Sequence, residues 1–358
     1  MLSDSRQCDP MIAYDTQILI TGARGFIGKR VVARLLEYGF TKIRCLARPS
    51  SNKSGGEIFT ASEFEDPRIE FIEGNLLSRE DCFKISSDAQ IIYHLAASRG
   101  EKSFPDAYQN SVITTRNLLD ACVQHNCLKR FVNVSSFAVY TNQDKPKRGV
   151  LNEACPIEKH PAQRGAAYCY AKVKQEEMVI EYNKKHELPY VMIRPGVVYG
   201  PGNEQIHARV GIGTFGIFLH LGGSNEIPLT YVENCADAIV MAGIMRGIDG
   251  EVFNIVDDDL PSSRQFLRLY KQKVKRFRSI YVPHLLSYIL CYFWEKYSTW
   301  SHGQLPNMYN RKVWHATWKK TEYSNEKLRE RLGLMQRVPT DEGLNQYFES
   351  CREKIRHA

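Results

Sequence analysis

Tyrosine and lysine residues four positions apart are the first feature of this sequence that could do chemistry. On a helix the two side chains lie on one face, and a lysine ammonium there favours loss of the phenol proton, which is acid–base chemistry at a hydroxyl group. The spacing occurs five times, so it does not identify a site by itself. The pairs are Tyr38/Lys42, Tyr168/Lys172, Tyr170/Lys174, Tyr292/Lys296 and Tyr323/Lys327.

A serine at the end of an apolar run is a second candidate. Residues 131–140 read Phe-Val-Asn-Val-Ser-Ser-Phe-Ala-Val-Tyr, which is typical of a buried strand that ends near Ser136. In a parallel sheet this strand would bring the Ser136 hydroxyl to the carboxyl edge, where ligands of such folds bind. The alternative is that Ser136 only caps the segment that follows.

A glycine-rich turn, Thr-Gly-Ala-Arg-Gly-Phe-Ile-Gly, directly follows the first apolar run and precedes an amphipathic segment. Gly22 permits a tight turn, Gly25 lets the backbone approach a pyrophosphate, and Gly28 lets a helix pack closely on the strand. The N-terminus of that helix would attract phosphates. The pattern predicts dinucleotide binding, with a plain strand-to-helix turn as the alternative. The predicted contacts are Gly22, Gly25, Phe26, Ile27 and Gly28.

The residue after the second apolar run bears on the choice of cofactor. That run, residues 43–47, is followed by Arg48 and not by a carboxylate. A carboxylate would accept hydrogen bonds from the adenosine ribose, whereas a cation suits a 2′-phosphate. Arg48, together with Lys53, therefore favours NADP. A solvated loop arginine is the alternative, which leaves NAD open.

A sheet must bring these residues together, and the order of apolar and helical segments predicts one. Runs rich in valine and isoleucine alternate with helical stretches from residue 17 to about residue 195. This alternation predicts an α/β fold, a Rossmann-type doubly wound parallel sheet. The predicted strands are 17–21, 42–47, 69–73, 90–95, 130–134 and 190–194, and the predicted helices include 26–38 and 112–125.

The regular alternation of strands and helices ends after Pro195, where glycine and proline become frequent. A helix over 234–246 and a strand over 252–256 still follow. We predict an NAD(P)-binding domain over 15–196, to which 230–256 return, and a smaller, interleaved substrate-binding α/β domain over 197–358.

Composition excludes several other classes of protein. The 358 residues are 43% hydrophobic and 25% charged, which is ordinary for a globular enzyme and excludes a mainly disordered chain. The basic residues behind the net charge of +8 are scattered, so we predict no nucleic-acid partner. Ten cysteines without a CxxC pair predict reduced thiols in a cytoplasmic protein and no metal site. The polar segment 1–14 predicts no export.

Several motifs, in this order, resemble the extended short-chain dehydrogenase/reductase family, which holds nucleotide-sugar epimerases, dehydratases and hydroxysteroid-type dehydrogenases. In this family a glutamate typically follows the lysine by four residues. Glu176 stands there relative to Lys172, whereas Met178 follows Lys174, so the resemblance selects Tyr168/Lys172. Besides the glycine turn and the serine run, the matching motifs are residues 93–97 (Tyr-His-Leu-Ala-Ala), 110–117, 168–172 and 194–201.

The resemblance implies NAD(P)-dependent hydride transfer at a secondary alcohol or ketone. Tyr168 would exchange the proton of the substrate hydroxyl, Lys172 would lower the tyrosine pKa and hold the ribose, and Ser136 would hydrogen-bond the same oxygen. Asn110 would position a proton-relay water or the cofactor, with a helix N-terminal role as the alternative. Asn75 stands where the family commonly has aspartate. The further implied cofactor contacts are Asn75, Leu76, Ala96, Ala97, Pro195 and Val198.

Two substrate classes follow from the resemblance. The favoured one is a nucleotide sugar, handled by an epimerase or ketoreductase. The tail over 279–294, 323–327 and 332–334 looks like that of sterol-acting members, so the alternative is a 3β-hydroxysteroid or sterol-type dehydrogenase. Dehydratases of the family carry an Asp-Glu pair where this chain has Phe137-Ala138, so we expect no dehydration. An alternative of another class is a non-catalytic NADP-binding sensor, although such proteins often lose the tyrosine or lysine retained here.

A basic run precedes the apolar, aromatic segment 279–294. Cations beside such a segment suit a helix that lies on an anionic membrane, and the segment is too short to span one. A buried helix with a solvated basic face is the alternative. We expect a cytoplasmic protein, and the sequence leaves open both peripheral membrane contact through residues 271–294 and a homodimer. The basic residues are Lys271, Lys273, Lys275, Arg276 and Arg278.

Overall fold

The computed structural model describes residues 10–48, 66–97, 103–142, 149–302, 304–305 and 309–356. Lys53 lies outside these ranges. The strands of the described part are β1 (Ile18–Thr21), β2 (Ile43–Ala47), β3 (Ile69–Glu73), β4 (Ile91–His94), β5 (Arg130–Val134), β6 (Val150–Leu151), β7 (Tyr190–Pro195), β8 (Val197–Tyr199), β9 (Gly211–Thr214), β10 (Ile217–His220), β11 (Leu229–Tyr231), β12 (Val252–Ile255), β13 (Ser279–Tyr281) and β14 (Glu322–Tyr323).

Helices connect most of these strands. The α-helices of the described part are α1 (Phe26–Glu37), α2 (Arg79–Ser86), α3 (Phe104–Ala107), α4 (Thr114–His125), α5 (Ala167–His186), α6 (Val232–Ile244), α7 (Ser263–Lys273), α8 (His284–Trp300), α9 (Arg311–Thr317), α10 (Glu326–Leu332) and α11 (Thr340–Arg356). Short 3-10 turns span Phe137–Val139 and Pro161–Arg164, and a π-helical stretch spans Tyr108–Ile113.

A seven-stranded sheet forms the centre of the molecule, in the order β12-β7-β5-β4-β1-β2-β3. Each neighbouring pair in it is parallel. The predicted doubly wound α/β fold is therefore confirmed. After β1 the chain adds β2 and β3 on one side of this strand, and then crosses over to add β4 and β5 on its other side. In such a sheet ligands bind at the carboxyl ends of the strands beside this reversal.

The alternation of side chains along each strand explains the three layers. On β1, Ile18 and Ile20 pack with Val31 of α1 and Ile239 of α6, whereas Leu19 packs in a separate cluster that includes side chains of α2, α4 and α5. Because successive residues of a strand point to opposite faces, both faces of the sheet need an apolar cover. This is why the strands are nearly continuous runs of apolar residues.

The helix before β5 differs from its prediction. It does not begin at Val112, because the turn starts at Phe104 after the cap residue Ser103, whose hydroxyl accepts a hydrogen bond from the Asp106 amide (3.3 Å). Asn110 lies inside the π-helical stretch that follows. The alternative of a helix N-terminal role for Asn110 is therefore wrong. Such π-helical turns are rare and occur frequently at functional sites.

The region after β7 also departs from the prediction in one place. The segment 279–294 is not a single helix: its first three residues form β13, which pairs with β10, and α8 begins only after Pro283. Proline lacks an N–H group and has a φ suited to a first helical turn, so it separates the two elements. Among the described residues, no helix has the length and apolar character that crossing a membrane requires.

Candidate active site

The sequence-predicted residues come together at one edge of the central sheet. Because the seven strands are parallel, their carboxyl ends lie at the same edge, and the candidates follow these ends one by one. The turn 22–25 follows β1, Arg48 follows β2, and Asn75 and Leu76 follow β3. The remaining strand-end candidates are Ala96 and Ala97 after β4, Ser136 after β5, and Pro195 at the end of β7. Val198 lies within β8, which pairs with β11 in a separate two-stranded sheet.

The glycine turn is packed so closely that larger residues would not fit. Gly22 has a φ of +75°, and a Cβ atom there would lie 3.0 Å from the Ala96 nitrogen. A Cβ atom on Gly28 would lie 2.1 Å from the Gly22 oxygen, so α1 begins directly against the turn. Gly25 precedes α1, and this described helix has neither a side-chain cap nor an acidic residue in its first turn. Its N–H groups and positive end therefore suit a phosphate.

A buried hydrogen-bond network holds the end of β1 against β4. His94 lies between Thr21 and Thr115, with 2.8 Å from each ring nitrogen to a hydroxyl oxygen. Thr115 donates its hydroxyl to the Ser111 carbonyl (2.6 Å), so it accepts from His94 Nε2 and leaves Nδ1 to accept from Thr21. Burial lowers the pKa of His94 to about 3, so the ring is neutral. Thr21 in turn accepts from the Ala96 amide (3.2 Å), which orients the backbone beside the glycine turn.

Tyr168 and Ser136 meet through their hydroxyl groups. Tyr168 is the second residue of α5 and is 38% exposed. Burial by the surrounding protein raises the pKa of its phenol, and a hydrogen bond with Ser136 opposes this rise. Ser136 also accepts a hydrogen bond from the Ala138 amide (3.2 Å), so the capping alternative is present together with the contact to Tyr168. The phenol is protonated at neutral pH.

Lys172 lies one turn after Tyr168 and is buried. Its ammonium group donates a hydrogen bond to the Val134 carbonyl at the end of β5 (2.7 Å), which ties α5 to the strand that carries Ser136. Burial lowers the pKa of Lys172 to about 8, and the charge of Glu176 opposes this change. The expected lowering of the Tyr168 pKa by Lys172 is absent from this state, because burial of the phenol dominates.

Glu176 is the residue on which the resemblance selected Tyr168/Lys172, and the structure gives it a partner. Its carboxylate is fully buried and accepts two hydrogen bonds from Arg194 of β7, of 2.8 and 2.6 Å. Arg194 also donates to the Tyr140 hydroxyl (2.9 Å), and Tyr140 donates to Asn254 of β12 (2.7 Å). This network fixes the position of α5, and with it Tyr168, relative to the sheet.

The neighbouring pair with the same spacing has other contacts. The Tyr170 ring packs edge-on against Phe104 with 5.5 Å between ring centroids, and it also lies near Tyr108. Lys174 forms an ion pair with Glu177 (2.6 Å) on the helix surface. Tyr170 is therefore a packing residue between α5 and the helix that precedes β5.

Asn110 and Asn75 are held by local contacts. The Asn110 amide donates to the backbone oxygen and the carboxylate of Asp106 (3.1 and 2.9 Å), so the described contacts do not join it to Ser136 or Tyr168. Asn75 accepts a hydrogen bond from the Leu77 amide (3.0 Å) and shapes the turn after β3. The structure places Asn75 at the predicted sheet edge, with its side-chain oxygen already used in this turn.

Arg24 is a candidate that the sequence reasoning missed. It belongs to the glycine turn and lies over the Phe71 ring of β3, with 5.3 Å from the guanidinium carbon to the ring centroid. Its charge also acts on Cys45 of β2. Arg24 therefore reaches across the ends of the strands that precede Arg48 and Asn75. A basic residue between Gly22 and Gly25 was the signal that could have identified it.

The residues at this edge fit a dinucleotide. The turn has no room for a Cβ atom at Gly28, and the uncapped start of α1 offers N–H groups to a pyrophosphate. At the other end, the buried hydroxyl of Ser135 has no hydrogen-bond partner among the described residues. Arg24 and Arg48 supply positive charge beside the ends of β1 and β2, and Tyr168 and Lys172 lie beside the end of β5.

Comparisons with known proteins agree with this arrangement. The family model described as the NAD dependent epimerase/dehydratase family matches residues 18–255. A 3β-hydroxysteroid dehydrogenase/decarboxylase (isoform 2) of Arabidopsis thaliana is 27% identical over 244 residues, which cover 65% of this chain and 42% of that protein.

A second relative has a different activity in its name. It is a trifunctional UDP-glucose 4,6-dehydratase/UDP-4-keto-6-deoxy-D-glucose 3,5-epimerase/UDP-4-keto-L-rhamnose-reductase of Arabidopsis thaliana, 27% identical over 256 residues. The match covers 66% of this chain and 36% of that protein, so the chain spans less than half the length of both relatives.

Among solved structures, the UDP-glucuronic acid 4-epimerase from Bacillus cereus in complex with NAD superposes with a TM-score of 0.68. It is 21% identical, and the match covers 94% of this chain and 99% of that one. At this identity the likeness shows a shared fold.

The lowered pKa of Lys172 predicts a pH dependence of stability. Between its folded value of about 8 and the usual value of 10.5, the unfolded chain holds a proton that the folded protein has released. The free energy of unfolding therefore rises with pH in this window, by up to about 3 kcal/mol relative to a Lys172→Met variant. Urea unfolding of both proteins near neutral pH and near pH 10 measures this difference, and equal changes in the two would contradict the lowered pKa.

Proposed function

Because the chain belongs to the NAD-dependent epimerase/dehydratase family, we propose that it is an NAD(P)-dependent oxidoreductase or epimerase of the extended short-chain dehydrogenase/reductase type. The enzyme would act on a secondary alcohol or ketone of its substrate. One observation carries the proposal: Ser136, Tyr168 and Lys172 lie at the same sheet edge as the glycine turn. A non-catalytic sensor would not need this constellation.

The proton chemistry would take place at the Tyr168 oxygen. The phenol is protonated at neutral pH, and burial raises its pKa further, so in this state it would donate a proton to a substrate carbonyl oxygen. Ser136, which lies beside this phenol, would hold the same substrate oxygen. Lys172 would hold the ribose of the cofactor, and its charge near the phenol would favour the deprotonated form that oxidation of an alcohol requires.

The cofactor would lie along the row of strand ends. Gly22, Gly25 and the start of α1 would hold its pyrophosphate, and Ala96 and Ala97 would line its path. When bound, the nicotinamide would supply hydride transfer to or from the substrate carbon. The residues proposed near the adenine and the nicotinamide are Phe26, Ile27, Asn75, Leu76, Pro195 and Val198.

We propose a nucleotide sugar as the substrate, handled by an epimerase or ketoreductase. Its support is that one relative and one structural neighbour are named for UDP-sugar reactions. We expect no dehydration, since Phe137 is buried and stacks on Tyr323, and Ala138 carries no acid or base. A 3β-hydroxysteroid or sterol-type alcohol is the second candidate. It is favoured by a relative named for that reaction and by the exposed apolar side chains of α8.

Three further expectations stay proposals. The division into a cofactor domain (15–196) and a substrate domain (197–358), with 230–256 returning, is supported by the pairing of β12 with β7 in the central sheet. Residues 271–294 would contact a membrane surface, where a cytoplasmic protein could reach a lipid-soluble substrate. A homodimer is the third.

Replacing the proposed proton donor tests the mechanism. Tyr168→Phe should lower kcat by at least about 100-fold while the Kd for the cofactor stays within a few-fold, because only the phenol oxygen is removed. Tyr170→Phe is the matched control, since the Tyr170 ring packs against Phe104 and should leave kcat nearly unchanged. Full activity of Tyr168→Phe would remove Tyr168 from the mechanism.

The choice of cofactor depends on the charge after β2. We propose NADP, because Arg48 directly follows β2 and Arg24 lies over Phe71 of the neighbouring β3, and both cations would pair with a 2′-phosphate there. Arg48→Ala should weaken NADP by about tenfold or more, since a charge-assisted hydrogen bond contributes roughly 1.5–3 kcal/mol, and should leave NAD little changed. Fluorescence titration with both cofactors measures the ratio, and equal losses for the two would rule out the phosphate contact.

A substrate screen separates the candidate reactions. Purified protein is mixed with NAD or NADP and either nucleotide sugars or 3β-hydroxysterols, and the absorbance of the reduced cofactor is followed. A dehydrogenase gives a net absorbance change with its substrate, whereas an epimerase converts a nucleotide sugar without one, which chromatography of the sugar detects. Absence of turnover with intact cofactor binding would favour the sensor alternative.

A further inference from the structure

Helix α8 turns its small polar side inward and its large apolar side outward. Ser287, Cys291 and Ser298 are its buried residues, and Ser287 accepts a hydrogen bond from Trp314 Nε1 (2.8 Å). A helix on the surface of a globular protein normally has the opposite arrangement. The exposed apolar side chains of α8 are Leu285, Leu286, Ile289, Leu290, Tyr292, Phe293, Tyr297 and Trp300.

The small sheet beside α8 extends this apolar surface. In the register of β10 and β13, Leu219 stands opposite Ile280, so Ile217, Leu219 and Ile280 share one face of the sheet. Leu219 packs against the cluster that includes Cys291 of α8, so the helix and this small sheet share a hydrophobic cluster. Ile280 is 55% exposed there, and Phe215 at the β9–β10 turn is fully exposed.

Together we call these exposed side chains, Phe215, Ile217, Ile280 and those of α8, the apolar face. On α8 alone, eight exposed apolar side chains share one side of the helix, and an exposed apolar surface of this kind marks an interaction site in a folded protein. Two features of the face identify what covers it.

The first feature is the charge at its margin. Lys275, Arg276 and Arg278 are exposed just before β13, and Arg278 stands two residues before Ile280, on the same side of the strand. Glu295, the one acidic residue in the α8 sequence, is held by two 3.0 Å hydrogen bonds from Arg311. The surface therefore combines apolar side chains with cations.

The second feature is the length of the helix. At 17 residues with an inward polar side, α8 suits a position in the plane of a bilayer surface and does not suit crossing one. A two-fold pairing with a second copy would bring the same cation-rich margin to both sides of an interface. Anionic headgroups, by contrast, would neutralise it.

We propose that the apolar face and its three marginal cations dock this protein on an anionic phospholipid bilayer. The exposed side chains of α8 enter the boundary between headgroups and acyl chains, and Lys275, Arg276 and Arg278 contact the headgroups. This docking goes beyond the proposed reaction and does not depend on which substrate is used.

The docking surface is joined to the candidate active site. Arg311 of α9 binds Glu295 of α8, and the neighbouring Asn310 donates to the Arg164 carbonyl (2.9 Å). Arg164 donates to the Ala138 carbonyl (2.6 Å), two residues after Ser136. Because these contacts are buried or half-buried, docking would fix the orientation of the candidate site relative to the bilayer.

Flotation of the full chain with vesicles tests the proposal. We expect binding to vesicles with about one third phosphatidylserine, and about 100-fold weaker partition for Lys275→Glu/Arg276→Glu/Arg278→Glu, because each cation near an anionic surface contributes substantially. High salt should also weaken the binding of the wild type to the anionic vesicles. Pure phosphatidylcholine vesicles should bind the wild type much more weakly.

Substitutions on the apolar face supply a second test of the docking proposal. Leu286→Glu/Leu290→Glu should weaken partition by at least about tenfold, because both side chains would leave the acyl boundary. Both residues are already exposed, so the fold should survive, which circular dichroism checks. Phe83→Glu is the matched control, since Phe83 is an exposed aromatic residue of α2, on the face of the central sheet covered by α2, α4 and α5.

Three outcomes would overturn the proposal. They are no flotation of the wild type with anionic vesicles, flotation that charge reversal leaves unchanged, and a dimer in solution that Leu286→Glu/Leu290→Glu converts to a monomer. Cofactor titration of each variant runs in parallel and needs no substrate. A failure of docking with intact cofactor binding therefore leaves the proposed function standing, and the reverse result leaves the docking standing.

Discussion

The buried pair of Glu176 and Arg194 is the interaction on which the candidate site depends. It joins α5, the helix that carries Tyr168 and Lys172, to strand β7 of the central sheet. Through Tyr140 it also reaches the segment after Ser136. Burying two charges is costly, and the two parallel hydrogen bonds between them offset that cost. Loss of one partner would leave a buried charge unpaired, at a cost of about 3–5 kcal/mol. The pair therefore holds α5, which carries the candidate tyrosine and lysine, against the sheet.

Electrostatics divide the site into an interior and a rim. Inside, burial lowers the pKa of His94 to about 3 and that of Lys172 to about 8, because charged forms lose their hydration there. At the rim, Arg24 and Arg48 are exposed. An anionic dinucleotide would therefore meet cations at the edge, while the neutral His94 ring inside holds the backbone beside the glycine turn through Thr21.

The central sheet was predictable because its signals are local. β5 is a short apolar run that is buried throughout, and it was predicted with its observed ends. β3 was also predicted with its observed ends, although this edge strand is half-buried or exposed along its length. The π-helical stretch around Asn110 was not predictable, since it reflects how the chain packs beside α5. Pro283 interrupts the segment 279–294 in the sequence, but the strand before it was not predicted, because the apolar character of the segment runs through both β13 and α8.

The sequence by itself determined the fold class and the residues available for chemistry, because both follow from residue type and spacing along the chain. It could not rank five tyrosine–lysine pairs of equal spacing without a resemblance. Tertiary structure decided the partners: it turned Lys172 towards the Val134 carbonyl, placed Tyr170 against Phe104, and left the apolar side of α8 outward. Such contacts depend on elements far apart in the chain, and burial, which sets the pKa values, exists only after those elements pack.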